Sequence, residues 1–104
     1  MRYHNSHENL KQKIITNPGL IGLEKISDYK EEMPYSNGKR KIGQVDIVFW
    51  DHIGRMYLVE ITTGQSNKCK KRVKKQAKTA KNFFNNAIGI SVCLEEGIIS
   101  WEKI

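Results

Sequence analysis

Asp46 and Glu60 are the residues whose setting could do chemistry. Asp46 interrupts the run Val45-Asp46-Ile47-Val48-Phe49-Trp50, and Glu60 interrupts Met56-Tyr57-Leu58-Val59-Glu60-Ile61-Thr62. The first run is otherwise apolar and the second is apolar up to Glu60, the pattern of a strand covered on both faces. If Asp51 to Arg55 form a hairpin loop, Trp50 faces Met56 and Asp46 falls directly opposite Glu60. Gln44, Val48, Trp50, Leu58 and Thr62 then share their face. Opposed side chains have Cβ atoms about 4.5–5.5 Å apart, where like charges destabilise a sheet. Such a pair can share a proton, with one pKa raised, or it can hold a divalent cation. Mg²⁺ commonly takes one or two carboxylates and completes its shell with water and phosphate oxygens. A register slip of one residue would part the two acids and leave one in water at a strand end.

The chain's positive charge follows directly downstream. Of 18 basic residues, eight lie between Ile61 and Leu94, where there is no acid: Lys68, Lys70, Lys71, Arg72, Lys74, Lys75, Lys78 and Lys81. The other 10 are balanced by all 11 acids, so the net +7 belongs to this block. Like charges spaced i, i+4 on a helix repel by a few tenths of a kcal/mol per pair. A solvated helix face is the plain reading of a charge run. A contact with a polyanion, whose affinity would fall steeply with salt, explains why the repulsion is tolerated.

Certain elements must position these groups. Residues 5–17 predict a helix, with Tyr3, His7, Leu10 and Ile14 on one stripe, an Asn5/Glu8 capping box, and Pro18-Gly19 as its end. Leu20 to Tyr29 predicts a strand, and Lys30 to Lys41, with Pro34 and Asn37-Gly38, predicts a turn or hairpin tip. The strands at 45–50 and 56–62 follow. Thr63 to Asn67 is a polar loop in which Gly64 serves backbone geometry. From Ser66 or Asn67 a helix runs to about Asn85, with Cys69, Val73, Ala77, Ala80 and Phe84 as its apolar stripe. Strands at 87–94 and 98–101 close the chain around a turn at Glu95-Glu96-Gly97. The order is α-β-β-β-α-β-β, an α/β arrangement in one domain spanning residues 1–104.

With 104 residues the chain can bury one modest core, about 65% of its unfolded surface. Cys69 and Cys93 are too few for a disulfide framework and read as buried thiols in a reducing compartment. His4, His7 and His52 do not cluster in sequence as zinc ligands would. Trp50, Phe83 and Phe84 read as core or dimer-interface residues. Met1 to Lys13 is polar, and no run approaches the roughly 18 apolar residues of a membrane span. The expectation is a soluble, intracellular, cytoplasmic protein without a membrane partner.

Gly43-Gln44-Val45-Asp46-Ile47-Val48, a hairpin, Tyr57-Leu58-Val59-Glu60-Ile61-Thr62 and then a basic helix together resemble the PD-(D/E)XK nuclease superfamily. The likeness is greatest to its small archaeal Holliday-junction resolvase and restriction-endonuclease-like members. It implies the restriction-endonuclease-like core, a mixed central sheet flanked by two helices, over most of the chain. It implies that Asp46 and Glu60 ligate Mg²⁺ or Mn²⁺, joined by the backbone carbonyl of Ile61 and by Glu8 from the first helix. It further implies DNA as substrate and a homodimer; the basic helix by itself does not exclude RNA. The chain departs from the motif at Thr62, where the family has the lysine that orients the attacking water and steadies phosphorane charge. Lys68, Lys71 or Lys75, with Gln76 beside them, could substitute from the helix. Three functions follow: a metal-dependent endonuclease, a nucleic-acid-binding module that does not cut, or a basic protein-interaction module.

Overall fold

The computed structural model describes residues 3–64 and 66–104, without the side chains of residues 3–5 and 37. Its elements are α1 (Tyr3–Thr16), a 3-10 turn (Pro18–Ile21), β1 (Ile26–Asn37), β2 (Arg40–Asp51), β3 (Met56–Thr62), α2 (Asn67–Lys81), β4 (Ile88–Glu95) and β5 (Ile98–Lys103). The five strands form one sheet in the order β1-β2-β3-β4-β5. Only β3 and β4 run parallel, and α2 makes the crossover between them. The result is a mixed α/β domain whose five-stranded sheet and two helices are compatible with a restriction-endonuclease-like core.

Each face of the sheet receives one helix because the strand side chains alternate. Ile47, Phe49, Tyr57, Val59 and Ile61 pack with Leu10 and Ile14 of α1. Val48 and Leu58 pack on the other face with Ala80 of α2. Val73, Ala77 and Ala80 are the buried stripe of α2, at the expected spacing. Among the described residues, no helix is long and apolar enough to cross a membrane.

Several boundaries differ from the sequence expectation. Residues 20–29 do not form one strand: Asn17 accepts the Gly19 amide at 3.2 Å, a 3-10 turn follows, and β1 starts only at Ile26. Most of residues 30–41 is not a turn. It is paired strand, and only Gly38-Lys39 turns, with Gly38 at φ +68°. Pro34 is compatible with β1 because β1 is an edge strand. α1 begins at Tyr3, so Asn5 is inside the helix and its side chain, like that of Tyr3, lies outside the described residues. α2 begins as expected, Ser66 accepting the Cys69 amide at 3.2 Å, but ends at Lys81. The chain then turns through Asn86 at φ +63°, and Phe84 keeps its core contact from outside the helix.

Candidate active site

β2 and β3 are in the expected register, with Trp50 opposite Met56 and Ile47 opposite Val59. Pairing stops there, one position short of Asp46 and Glu60. Instead of continuing the ladder, Asp46 Oδ2 accepts the backbone N–H of Ile61 at 2.8 Å. The face alternation of β2 also breaks at Asp46. Val45 packs in the α2-side cluster with Val48, whereas Ile47 packs on the α1 side. The expected sharing of one face therefore does not carry through Asp46 to Gln44. Across the β1–β2 pair, between Glu31/Ile47 and Met33/Val45, Glu32 sits at φ +49°. Such backbone is uncommon outside glycine and marks a local kink.

Where the strands part, a cavity of about 600 Å³ opens, lined by Asp46, Glu60, Ile61 and Thr62 together with His7 and Arg72. Glu60 is 4% exposed. Burial first, and then the charge and hydrogen bond of Asp46, push its carboxyl up to about 8. A carboxyl buried this close to a second carboxylate is costly to ionise, so Glu60 keeps its proton or needs a cation. Among the described residues, no three of His, Cys, Asp and Glu converge on one point. A cation here would take two protein carboxylates and draw its other ligands from backbone carbonyl, water or substrate. Hard oxygen donors in that number fit Mg²⁺ or Mn²⁺.

His7 joins this corner from α1, its Nε2 3.6 Å from Asp46 Oδ2. The hydrogen-bonding approach of Asp46, long as it is, raises the His7 pKa against the opposing effect of partial burial. Glu8, one residue along, is not in the lining. It is half exposed, 3.1 Å from Lys11 Nζ, and accepts Gln12 Nε2 at 2.9 Å. Lys11 is a buried lysine that sequence reasoning missed. At 2% exposure it meets Glu32 at 2.7 Å and Glu31 at 3.3 Å as well as Glu8. Burial alone would lower its pKa, but these three carboxylates raise it.

Thr62 is buried, and its hydroxyl accepts the Gly64 amide at 3.1 Å, which ties down the loop leaving β3. Gly64 lets that loop pass against α2, since a Cβ there would collide with the Cys69 thiol. Of the eight basic residues of α2, only Arg72 lines the main cavity, with Gln76 one turn on. Lys75 lines an adjoining cleft that Glu60 also borders, while Lys68 and Lys71 line neither. Lys70 pairs with Glu95 at 2.7 Å and Lys74 with Glu102 at 2.9 Å. Lys81 donates to the Ile104 carbonyl at 3.0 Å, and Lys71 and Lys78 border a groove with the C-terminal residues. Arg72 was readable from spacing. Cys69, Arg72, Val73 and Gln76 follow i, i+3, i+4, i+7, so Arg72 edges the apolar stripe.

No family model and no curated protein matches the chain. Among solved structures it is similar to the crystal structure of a repair endonuclease from Pyrococcus abyssi, with 21% identity over 86% of this chain and 38% of that one, at a TM-score of 0.49. The chain thus spans well under half the length of that endonuclease. At this degree of likeness, the fold and the site stand on their own geometry.

Proposed function

We propose that the chain is a divalent-cation-dependent nuclease of PD-(D/E)XK type that hydrolyses phosphodiester bonds of DNA. The observation that carries the reading is Glu60, buried at 4% exposure beside Asp46 in a cavity walled by a basic helix. Asp46 and Glu60 would hold Mg²⁺ or Mn²⁺, and the Ile61 carbonyl is a further candidate ligand. The bound ion supplies a water of lowered pKa and charge for the phosphoryl oxygens. Arg72, an exposed side chain at the edge of the cavity, would offer the scissile phosphate a positive charge, the part a lysine at position 62 would otherwise play. The uncharged Thr62 shapes the β3–α2 loop. Cutting both strands of a duplex would take two such sites, hence a pair of chains.

Thr62 also favours a second reading, a domain that binds DNA without cutting it. One experiment separates the two. Supercoiled, linear, single-stranded and branched DNA are incubated with the protein and Mg²⁺ or Mn²⁺, beside an Asp46→Ala/Glu60→Ala variant. The nuclease reading expects cation-dependent cutting that the variant loses. Binding without cutting under either cation would overturn it in favour of the second reading.

A further inference from the structure

We infer that the β1–β2 ribbon is a second arm for the DNA backbone, gripping a duplex laid across the cavity from α2 to Lys39, Arg40 and Lys41. The inference rests on the nuclease reading and adds the track that the substrate follows. Beyond Ile47 the ladder of β2 with β3 ends, and residues 40–45 pair only with β1. At about 3.3 Å per residue, this two-stranded ribbon extends roughly 20 Å past the sheet. A free ribbon of two strands is marginal in water. This one is braced: Tyr35 packs on Phe83, with ring centres 4.9 Å apart, and on Phe84 at 6.1 Å. The bracing holds the ribbon against the C-terminal end of α2.

Charge follows the same line. From Met33 to Val45 there is no acid, and the turn carries Lys39, Arg40 and Lys41, all exposed. Among the described residues, no carboxylate lies within 4 Å of any of the three; Lys41 instead donates to the neutral Gln44 at 3.0 Å. On α2 the division is complementary. Lys70 and Lys74, toward β4 and β5, are neutralised by Glu95 and Glu102. Arg72 and Lys75 face the ribbon across a cleft of about 260 Å³, whose ribbon side includes Tyr35, Ile42 and Gln44. Arg72 and Lys75 thus supply the cations on the α2 bank of the cleft, and the ribbon that forms the other bank carries Lys39, Arg40 and Lys41 beyond it, at the turn. Fixed charges on two sides of a groove track a phosphate backbone and give register without reading sequence.

The test is the salt dependence of binding to a labelled duplex in chelator, where no cutting occurs. The variant Lys39→Gln/Arg40→Gln/Lys41→Gln is compared with Lys13→Gln/Lys25→Gln/Lys30→Gln, which removes the same charge from exposed sites away from the turn. Each lost phosphate contact removes about 0.9 from the slope of log affinity against log salt. The turn variant is expected to lose about 2–3 from that slope and the control variant less than 1, with thermal midpoints like that of the parent protein. An unchanged slope in the turn variant, or an equal loss in both, overturns the ribbon arm and leaves the nuclease reading standing if the parent protein cuts. A parent protein that binds no duplex overturns the ribbon arm, and the cutting assay alone decides the nuclease reading.

Discussion

Asp46 Oδ2 accepts the Ile61 backbone N–H at 2.8 Å, just past the last paired position of β2 and β3. A side chain therefore takes the place of the next backbone partner. That substitution lets the two strands diverge without leaving the Ile61 amide orphaned, which would be costly in a buried sheet. The divergence opens the cavity, and it presents Asp46 and Glu60 to the same space. The geometry that makes the site and the geometry that ends the ladder are one feature.

Glu60→Gln is expected to raise stability while removing the response to cations. With its folded pKa raised from 4.5 to about 8, Glu60 in chelator costs stability as pH climbs from about 4.5 through 8. The unfolded chain releases that proton first, so the loss is complete above about pH 8. Thermal melts of the parent protein in chelator should decline over this window from Glu60, and the Gln variant should decline less. Mg²⁺ should raise the midpoint of the parent only. A variant that melts lower and still responds to Mg²⁺ would contradict the assignment.

Arg72→Gln is expected to slow single-turnover cleavage by about 10²–10³-fold, the usual scale for losing one fixed donor at developing charge. Duplex affinity should weaken only as one phosphate contact requires. Lys71→Gln, outside both cavities at the carboxylates, should alter affinity but not the cleavage step. Equal effects from the two changes would show that Arg72 is merely one of the helix's surface charges.

Lys11→Met is expected to destabilise the fold by about 1–3 kcal/mol, the range for losing hydrogen bonds to charged partners. Its three carboxylates are 38–55% exposed and can rehydrate, which limits the loss. Denaturant unfolding measures it. Glu32, one of the three, is also the kinked residue beside the Asp46 break, so cleavage should fall along with stability.

Asp51 sets an acid limit. Burial alone would raise its pKa, but hydrogen bonds from Arg55, Ile53 and Tyr57 bring it down to about 2 from 3.8. Its stabilising effect is therefore present above about pH 4 and lost as pH falls toward 2. Asp51→Asn should flatten this part of the acid unfolding curve. An identical curve would remove Asp51 as a cause.

The hairpin register and the carboxylate pair were legible because two continuous apolar runs, each with one acid, leave few ways to align. The apolar stripe of α2 was legible from its period. The long β1–β2 ribbon was not, since Pro34 and weak alternation resemble a loop when an edge strand's tolerance is unknown. His7 and Lys11 were not legible either. His7 reaches the site only because α1 crosses the sheet beside Asp46. Lys11 is buried only because Glu8, Glu31 and Glu32 gather from two elements to meet it. Spacing put His7 on the stripe that faces the sheet but not beside Asp46, and it carries no sign of the meeting at Lys11.

The most direct test of the account is a Mn²⁺ titration followed by electron paramagnetic resonance, which counts bound ions without needing a substrate. It compares the parent protein with Asp46→Asn/Glu60→Gln at pH 8.5, above the raised Glu60 pKa of about 8. The account predicts one or two Mn²⁺ bound to the parent protein, displaced by excess Mg²⁺ and absent from the variant. No saturable Mn²⁺ binding, or the same binding in both proteins, would contradict it.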